Sequence, residues 1–336
     1  MDTVHMTLEE VHALTLKVLK KHGCDDANAS AIADNITGAE RDTATSHGVF
    51  RLPGHVTSLS NGKVNGKAAP KLSRLSPGAV KVDGDRGFAP LAFQVGKDAL
   101  IEAARETGIA VLAITRTFHF AALWPETSAL AEEGLVALAV TSSPPYVAAA
   151  GGKRPFFGTN PMSFAWPRKD GPPMAFDQAA AAMARGEIML HARDGHEVPD
   201  GVGIDADGNP TNDPDAILKG AQLTFGGYKG SAIALMIDLL AGPLIGEAFS
   251  AEAGRADNGD GGPALGGELI IAIDPKRLGA GDGYLDHAEE LFAEMTEQPG
   301  VRLPGDRRLK ARGQTPSEGV HVPKSLHEKI VELAEG

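Results

Sequence analysis

The chain has 336 residues, 42% hydrophobic and 23% charged, with a net charge of −12. That length predicts more than one packed unit, and the acidic balance argues against nucleic acid or an anionic membrane as partner. A single cysteine, Cys24, excludes an internal disulfide and any multi-cysteine metal site.

The opening "MDTVHMTLEEVHAL" carries an acid at position 2 and no apolar core segment, so it does not read as a secretory signal. Thr7 followed by Glu10 predicts a capping box, and Leu8, Val11, Leu14, Val18 and Leu19 form one apolar face of the helix behind it. A second helix is expected over about 26–40. "ATSHGVFR" follows, placing Ser46, His47 and Arg51 close together. An imidazole can move a proton near neutral pH and a guanidinium can grip a carboxylate with two bonds. The same three residues also read as ordinary polarity around a helix start. Residues 53–80, dense in Gly, Pro, Ser and Lys, are expected to be loop.

"VKVDG" predicts a short strand, 91–107 a helix ended by Gly108, and "IAVLAIT" (109–115) and "LVALAVTSS" (135–143) two strands buried on both faces. The helix between these strands has Pro125 in or near its first turn. This stretch suggests a parallel α/β arrangement, and His119 directly follows a buried strand, where ligands sit in such sheets. "PMSFAWP" and "PMAFDQA" read as strands of a mixed or antiparallel sheet. The acidic, turn-rich 194–226 is expected to be a long loop with a solvated surface. A long helix over about 228–241, a Gly-rich acidic loop over 254–267, the strand "ELIIAID" and a helix near 284–297 complete the order. The apolar run "SAIALMIDLLAGPLIG" is interrupted by Asp238 and Pro243 and is too short to span a bilayer.

Several familiar chemistries lack their motifs. There is no G-x-G-x-x-G after a strand, no P-loop, no H-E-x-x-H and no C-x-x-C, so no metal is expected. "GGKRPFFGTNPMSFAWP" reads as a backbone approach to a ligand or as a turn-rich connection. "FGGYKGSAIALM" places Lys229 at a helix start, where free N–H groups suit an anion; a solvated lysine is the alternative. "VRLPGDRRLKAR" gathers Arg302, Arg307, Arg308, Lys310 and Arg312, fit for a phosphate or simply a basic surface strip.

Taken together and in this order, "SHGVFR", "HFAALW", "GGKRPFFGTNPMSFAWP", "FDQAAAAMARGEI" and "GGYKGSAIALMIDLLAGPLIG" resemble the malate/L-lactate dehydrogenase family of the second type, which is unrelated to the Rossmann dehydrogenases. The likeness runs from "TLEEV" to "VHVP". Within that family, "HFAALW", "ARGEI" and "KGSA" are most similar to the Δ1-piperideine-2-carboxylate/Δ1-pyrroline-2-carboxylate reductases. Ser231 stands where many dehydrogenase members have Tyr, and "DQAAAA" lacks the Thr or Ser often found after the Asp.

The resemblance implies an α/β fold with a non-Rossmann NAD(P)-binding domain built on a largely antiparallel mixed sheet. Beside it would lie an α/β domain formed by the N- and C-terminal parts. The expected division is 1–80, 81–275 and 276–336. It further implies a homodimer acting on a small cyclic imino acid with a nicotinamide cofactor. The basic cluster at 302–312 adds the expectation of NADPH, with NADH the weaker cofactor, and the composition that of a cytoplasmic protein. Carried over by position, His47 resembles the proton donor, with Ser46 as its relay partner and Glu187 orienting the relay. Arg51, Thr159 and Arg185 match substrate contacts. His119, Phe120, Ala121, Ala122, Leu123, Asp177, Gln178, Ala179, Lys229, Arg307 and Arg308 match cofactor contacts. Two other functions use the same residues: a 2-hydroxyacid dehydrogenase acting on C=O, and a binding protein without turnover.

Overall fold

The computed structural model describes residues 2–336. Near the N-terminus the capping box forms as expected. Thr7 Oγ1 accepts the Glu10 N–H at 3.1 Å and the Glu10 carboxylate accepts the Thr7 N–H at 2.8 Å. The helix Leu8–Lys21 buries Val11, Val18 and Leu19 against Ile32 and Ile36 of the helix Asp26–Arg41. The two chain ends meet here: strand Thr3–Met6 pairs antiparallel with Val320–Pro323, and helix Lys324–Glu335 adds Ile330 and Ala334 to the same core.

A seven-stranded mixed sheet forms the second core. Its spatial order is Lys71–Ser76, Ala79–Asp83, Ile109–Thr117, Gly266–Ile273, Val136–Thr141, Met162–Trp166, Met174–Gln178. Ala79–Asp83 with Ile109–Thr117 is its one parallel pair. The two apolar strands that suggested a parallel sheet do point the same way. They are not neighbours, however: Gly266–Ile273 lies between them, antiparallel to both. A strand arriving more than a hundred residues later cannot be seen in local pattern. Its alternation serves two faces, with Ile270 and Ala272 packing among Leu100, Leu112 and Leu130, and Leu269 on the other side with Ile237. Each large aliphatic chain so buried contributes about 1.5–3 kcal/mol.

Three loop expectations are corrected. Residues 53–80 contain the helix Leu52–Ser60, with Pro53 in its first turn, and the strand Lys71–Ser76. That strand is an edge exposed at every position, so it has no buried face to impose an apolar alternation. Residues 194–226 hold the helix Pro214–Lys219, capped by Asp213, and short strands of a five-stranded sheet. The helix Ser250–Ala256 runs into the acidic loop that follows. Two acids of that loop are anchored rather than solvated, since Lys63 Nζ lies 2.6 Å from Asp257 and 2.7 Å from Asp260.

Helix Tyr228–Ala241 matches its expected span and packs on the central sheet. The stretch Tyr228–Ile245 reaches a mean hydropathy of 1.3. Its α-helix nevertheless stops before Gly242-Pro243, and Asp238 within it is buried, accepting from Ser250 Oγ at 2.7 Å. The basic strip is also not a strip. Arg308 and Arg312 lie on the helix Asp306–Glu318 and turn inward, Arg308 to Asp177 at 2.8 Å and Arg312 to Asp42 at 2.9 Å.

Candidate active site

The segment "SHGVFR" is two successive 3-10 turns, Thr45–His47 and Val49–Arg51, strapped to the preceding helix. The strap is Glu40, whose buried carboxylate accepts the Val49 N–H at 2.8 Å. Burial pushes that carboxyl up to about 7 against the opposing pull of the hydrogen bond. Gly48 is required by the same contact, because a Cβ there would sit 1.9 Å from Glu40 Oε1. With the turns held, Ser46 Oγ lies 3.1 Å from His47 Nδ1, and Arg51 Nε donates to the Ser46 carbonyl at 2.7 Å. The Arg51 guanidinium sits 4.7 Å over the Phe120 ring. Behind it, His55 stacks between Phe88 and Phe120 and places Nδ1 3.0 Å from the Arg51 carbonyl.

These residues form one wall of a cavity of about 800 Å³. His119, Phe120, Ala121, Thr159, Asp177, Gln178, Ala179, Arg185 and Glu187 line it as well. Strand ends and loops that are distant in sequence thus converge on one space. The Arg185 guanidinium lies 3.7 Å over the Tyr146 ring, and Thr159 Oγ1 is 3.0 Å from Ser143 Oγ.

Electrostatics single out three groups, Arg51, Arg185 and His47. Neither Arg51 nor Arg185 has a carboxylate within 4.0 Å among the described residues, and burial lowers the pKa of both, Arg51 to about 10. Both remain cations at neutral pH, so the cavity offers positive charge that the chain itself does not neutralise. His47 is driven down to about 3, first by burial, then by Arg51, His119 and Arg308. It is therefore a neutral imidazole at pH 7.

Other expected residues fall outside the cavity wall. Ala122 and Leu123 are buried behind it, and Lys229 is exposed on the first turn of Tyr228–Ala241, after Gly226 and Gly227 at positive φ. Arg307 is exposed. Arg308 spends its donors on Asp177 and the Ala175 carbonyl and lies 4.3 Å over the Trp124 ring. Glu187 lines the cavity, but its carboxylate makes no hydrogen bond to Ser46 or His47. Sequence reasoning missed Tyr146, Ser143 and Glu40. Tyr146 and Ser143 lie in the loop after the buried strand Val136–Thr141, and polar residues on a loop held by such a strand are a signal that could have found them. Nothing local marks Glu40.

A nicotinamide cofactor fits this space. The volume is that of a site for a drug-sized ligand, and the short side chains of Ala121, Ala179, Ala181 and Ala182 leave an apolar wall for a flat ring. Arg185 on Tyr146 adds a cation for an anionic group nearby.

The model of the malate/L-lactate dehydrogenase family matches residues 6–331. A Δ1-pyrroline-2-carboxylate/Δ1-piperideine-2-carboxylate reductase of Pseudomonas aeruginosa is 50% identical over 334 residues, 99% of this chain and 100% of that protein. A Δ1-pyrroline-2-carboxylate reductase of Pseudomonas fluorescens is 50% identical over 332 residues, covering 98% of each. Among solved structures, the Δ1-piperideine-2-carboxylate reductase of Pseudomonas syringae pathovar tomato superposes with a TM-score of 0.94 at 40% identity, over 98% of this chain and 100% of that one.

Proposed function

This chain belongs to the malate/L-lactate dehydrogenase family, and on that premise we propose that it reduces cyclic imino acids, Δ1-piperideine-2-carboxylate to L-pipecolate and Δ1-pyrroline-2-carboxylate to L-proline. The observation that carries this reading is the half-buried, uncompensated Arg51 beside the Ser46–His47 pair and the Phe120 ring. A cyclic imino acid presents one carboxylate, one basic nitrogen and an otherwise apolar ring. Arg51 meets the first with a guanidinium fork, His47 stands at the second and Phe120 covers the third, leaving the alanine wall to the nicotinamide.

The family's nicotinamide cofactor supplies the hydride; we propose NADPH over NADH, with the exposed Arg307 nearest in character to a phosphate reader. Arg51 fixes the carboxylate and thereby the face of the C=N bond offered for reduction. A bound carboxylate also offsets the Arg51 charge that helps hold His47 down, so the imidazole becomes easier to protonate in the complex. His47, relayed through Ser46, can then deliver a proton to an imine nitrogen that binds without one. Thr159 and Ser143 supply two further hydroxyls to the cavity. Glu187 lines the same cavity at the first turn of Arg185–Asp194 without a hydrogen bond to the Ser46–His47 pair, and we propose that it orients the relay only once substrate is bound.

We also infer a cytoplasmic homodimer with the expected three-part division, its first boundary moved from 80 to about 70 because Lys71–Ser76 and Ala79–Asp83 pair within the central sheet. Leu235, Met236, Leu239 and Leu244, exposed along and just after one helix, support a second copy as cover. Paired terminal strands support assigning both chain ends to one domain.

The test is oxidation of NADPH and of NADH with both cyclic imines, pyruvate and oxaloacetate. Cyclic imines should give the higher kcat/KM. A higher value for either 2-oxoacid would make the protein a 2-hydroxyacid dehydrogenase, and no turnover with any of them would leave only a binding protein.

A further inference from the structure

Behind the cavity lies a group the mechanism above does not use. His119, just after the strand Ile109–Thr117, is nearly buried and forms part of the cavity wall. Its Nε2 faces Glu126 Oε1 at 3.7 Å, on the helix Trp124–Glu132, and Glu268 Oε2 at 3.9 Å, on the strand Gly266–Ile273. Glu268 is wholly buried and Glu126 almost so. No other group donates to any of the four carboxylate oxygens, and Nε2 has no hydrogen-bond partner either.

Two buried carboxylates against one another cannot both stay ionised without a cation. Burial raises Glu126 to about 7. It raises Glu268 well above the ordinary range, with Glu126 beside it adding to the shift. Glu126 sits in the first turn of its helix, where the dipole favours an anion. Glu268 has no such help. The charged surroundings of His119 complete the count: Glu126 and Glu268 face its Nε2, Arg51 and His47 act on it by charge, and Arg308 reaches the same cluster through His47.

We propose that Glu126 and Glu268 share one proton and together hold a single negative charge behind His119, which directs the site toward a cationic C=N substrate rather than a neutral C=O. This rests on the imine-reductase reading and names what sets its specificity. A protonated cyclic imine is neutral overall once its carboxylate is counted, but Arg51 engages that carboxylate and leaves the iminium near a surplus of positive charge. The carboxyl pair is the counter-charge. It acts across His119, whose Nε2 lies 3.7 and 3.9 Å from the two carboxylates while the residue lines the cavity, so the charge behind the ring favours an iminium in front of it. A ketone carries no charge to be favoured. Glu126 and Glu268 are thus positioning residues.

The Glu→Gln series counts the protons. In E268Q, Gln mimics the protonated partner and Glu126 keeps the charge at its helix N-terminus; in E126Q the charge would fall to Glu268, whose burial resists it, and the double variant removes it outright. We expect E268Q to stay within about 3-fold of wild type in imine kcat/KM, with E126Q between it and the double variant. The double variant should fall about 10- to 100-fold, the effect of one unit charge at cavity distance. The inhibition constant of pyruvate, a neutral carbonyl, should hardly change. Full imine activity in the double variant would mean an uncharged pair and would overturn the proposal. Single variants as damaged as the double, with a stoichiometric divalent metal in purified wild type that they lose, would overturn it in favour of a cation site. Infrared difference spectra of the resting proteins give a reading that needs no turnover. Above pH 7, wild type should show a buried protonated-carboxyl band that E268Q lacks, and no such band in wild type would also defeat the proposal. Wild-type inactivity toward imines would instead sink the underlying reading while leaving the band in place.

Discussion

Arg51→Met is the sharpest perturbation of the site. The methionine keeps length and apolar contact with Phe120 while removing the charge. Arg51 Nε is committed to the Ser46 carbonyl, which leaves the two terminal nitrogens for a substrate carboxylate. Charge-assisted bonds contribute about 1.5–3 kcal/mol each, so the pair is worth about 3–6 kcal/mol, or about 10²- to 10⁴-fold in KM. Because this binding is common to ground and transition states, kcat should move far less. Stability should hold: no carboxylate is stranded, and the Ser46 carbonyl loses one donor, a cost of about 1 kcal/mol. There is a second signature. Without Arg51 one of the charges depressing His47 is gone, so its titration should move up from about 3. Steady-state kinetics with a cyclic imine, a melting curve and imidazole NMR read all three. An unchanged KM with a collapsed kcat would refute the carboxylate clamp.

Further expectations concern the neighbours. His47→Gln should lower kcat by about 10²- to 10⁴-fold, with the deficit growing as pH rises and fewer imines bind already protonated; activity within a few-fold of wild type at every pH would remove His47 from proton delivery. Gly48→Ala must push Glu40 off the Val49 N–H, leaving a buried donor bare at a cost of about 1–3 kcal/mol, and an unaltered melting temperature would show that the strap is not rigid. Arg307→Ala should narrow any NADPH-over-NADH ratio without harming the fold, and equal loss with both cofactors would mean that Arg307 does not read a 2′-phosphate. His55 is held at about 4 by burial, against 6.5 when free, so between those values the unfolded chain binds the extra proton and stability falls as pH drops. That is worth up to about 3 kcal/mol, and His55→Leu should lose less stability than wild type between pH 6.5 and 4; equal losses would contradict it.

The parts of this molecule that were legible in its sequence are those with a local cause. Thr7 and Glu10 announce their helix because capping is settled within four residues. Ser46, His47 and Arg51 read as a unit because two tight turns bring them together without help from afar. The edge strand Lys71–Ser76 was invisible since nothing buries either face. Glu40 escaped notice because a helical acid looks alike whether it faces water or clamps the next turn. Longest in reach are the contacts of Arg308, Glu126 and Glu268, whose partners lie on elements far away in sequence. No periodicity encodes them.

That distinction bears on how the site handles charge. Read as a line of text, the cations at 302–312 were the natural place for an anion, and the acidic net charge made them conspicuous. In the folded chain the two most buried of them are already consumed: Arg312 by Asp42, which also accepts from Trp124 Nε1 at 3.1 Å, and Arg308 by Asp177. Those ion pairs tie the helix Asp306–Glu318 to the region around Trp124, whose ring lies edge-on to His47 at 6.3 Å. The basic segment therefore shapes the wall near the imidazole, while Arg51 and Arg185, unpaired within the chain, are left to meet the anionic groups of a ligand. An anion that completes Arg51 also relieves His47, so substrate binding and proton readiness are coupled through one guanidinium. Selection for a carboxylate and preparation for proton transfer are then a single event in this site.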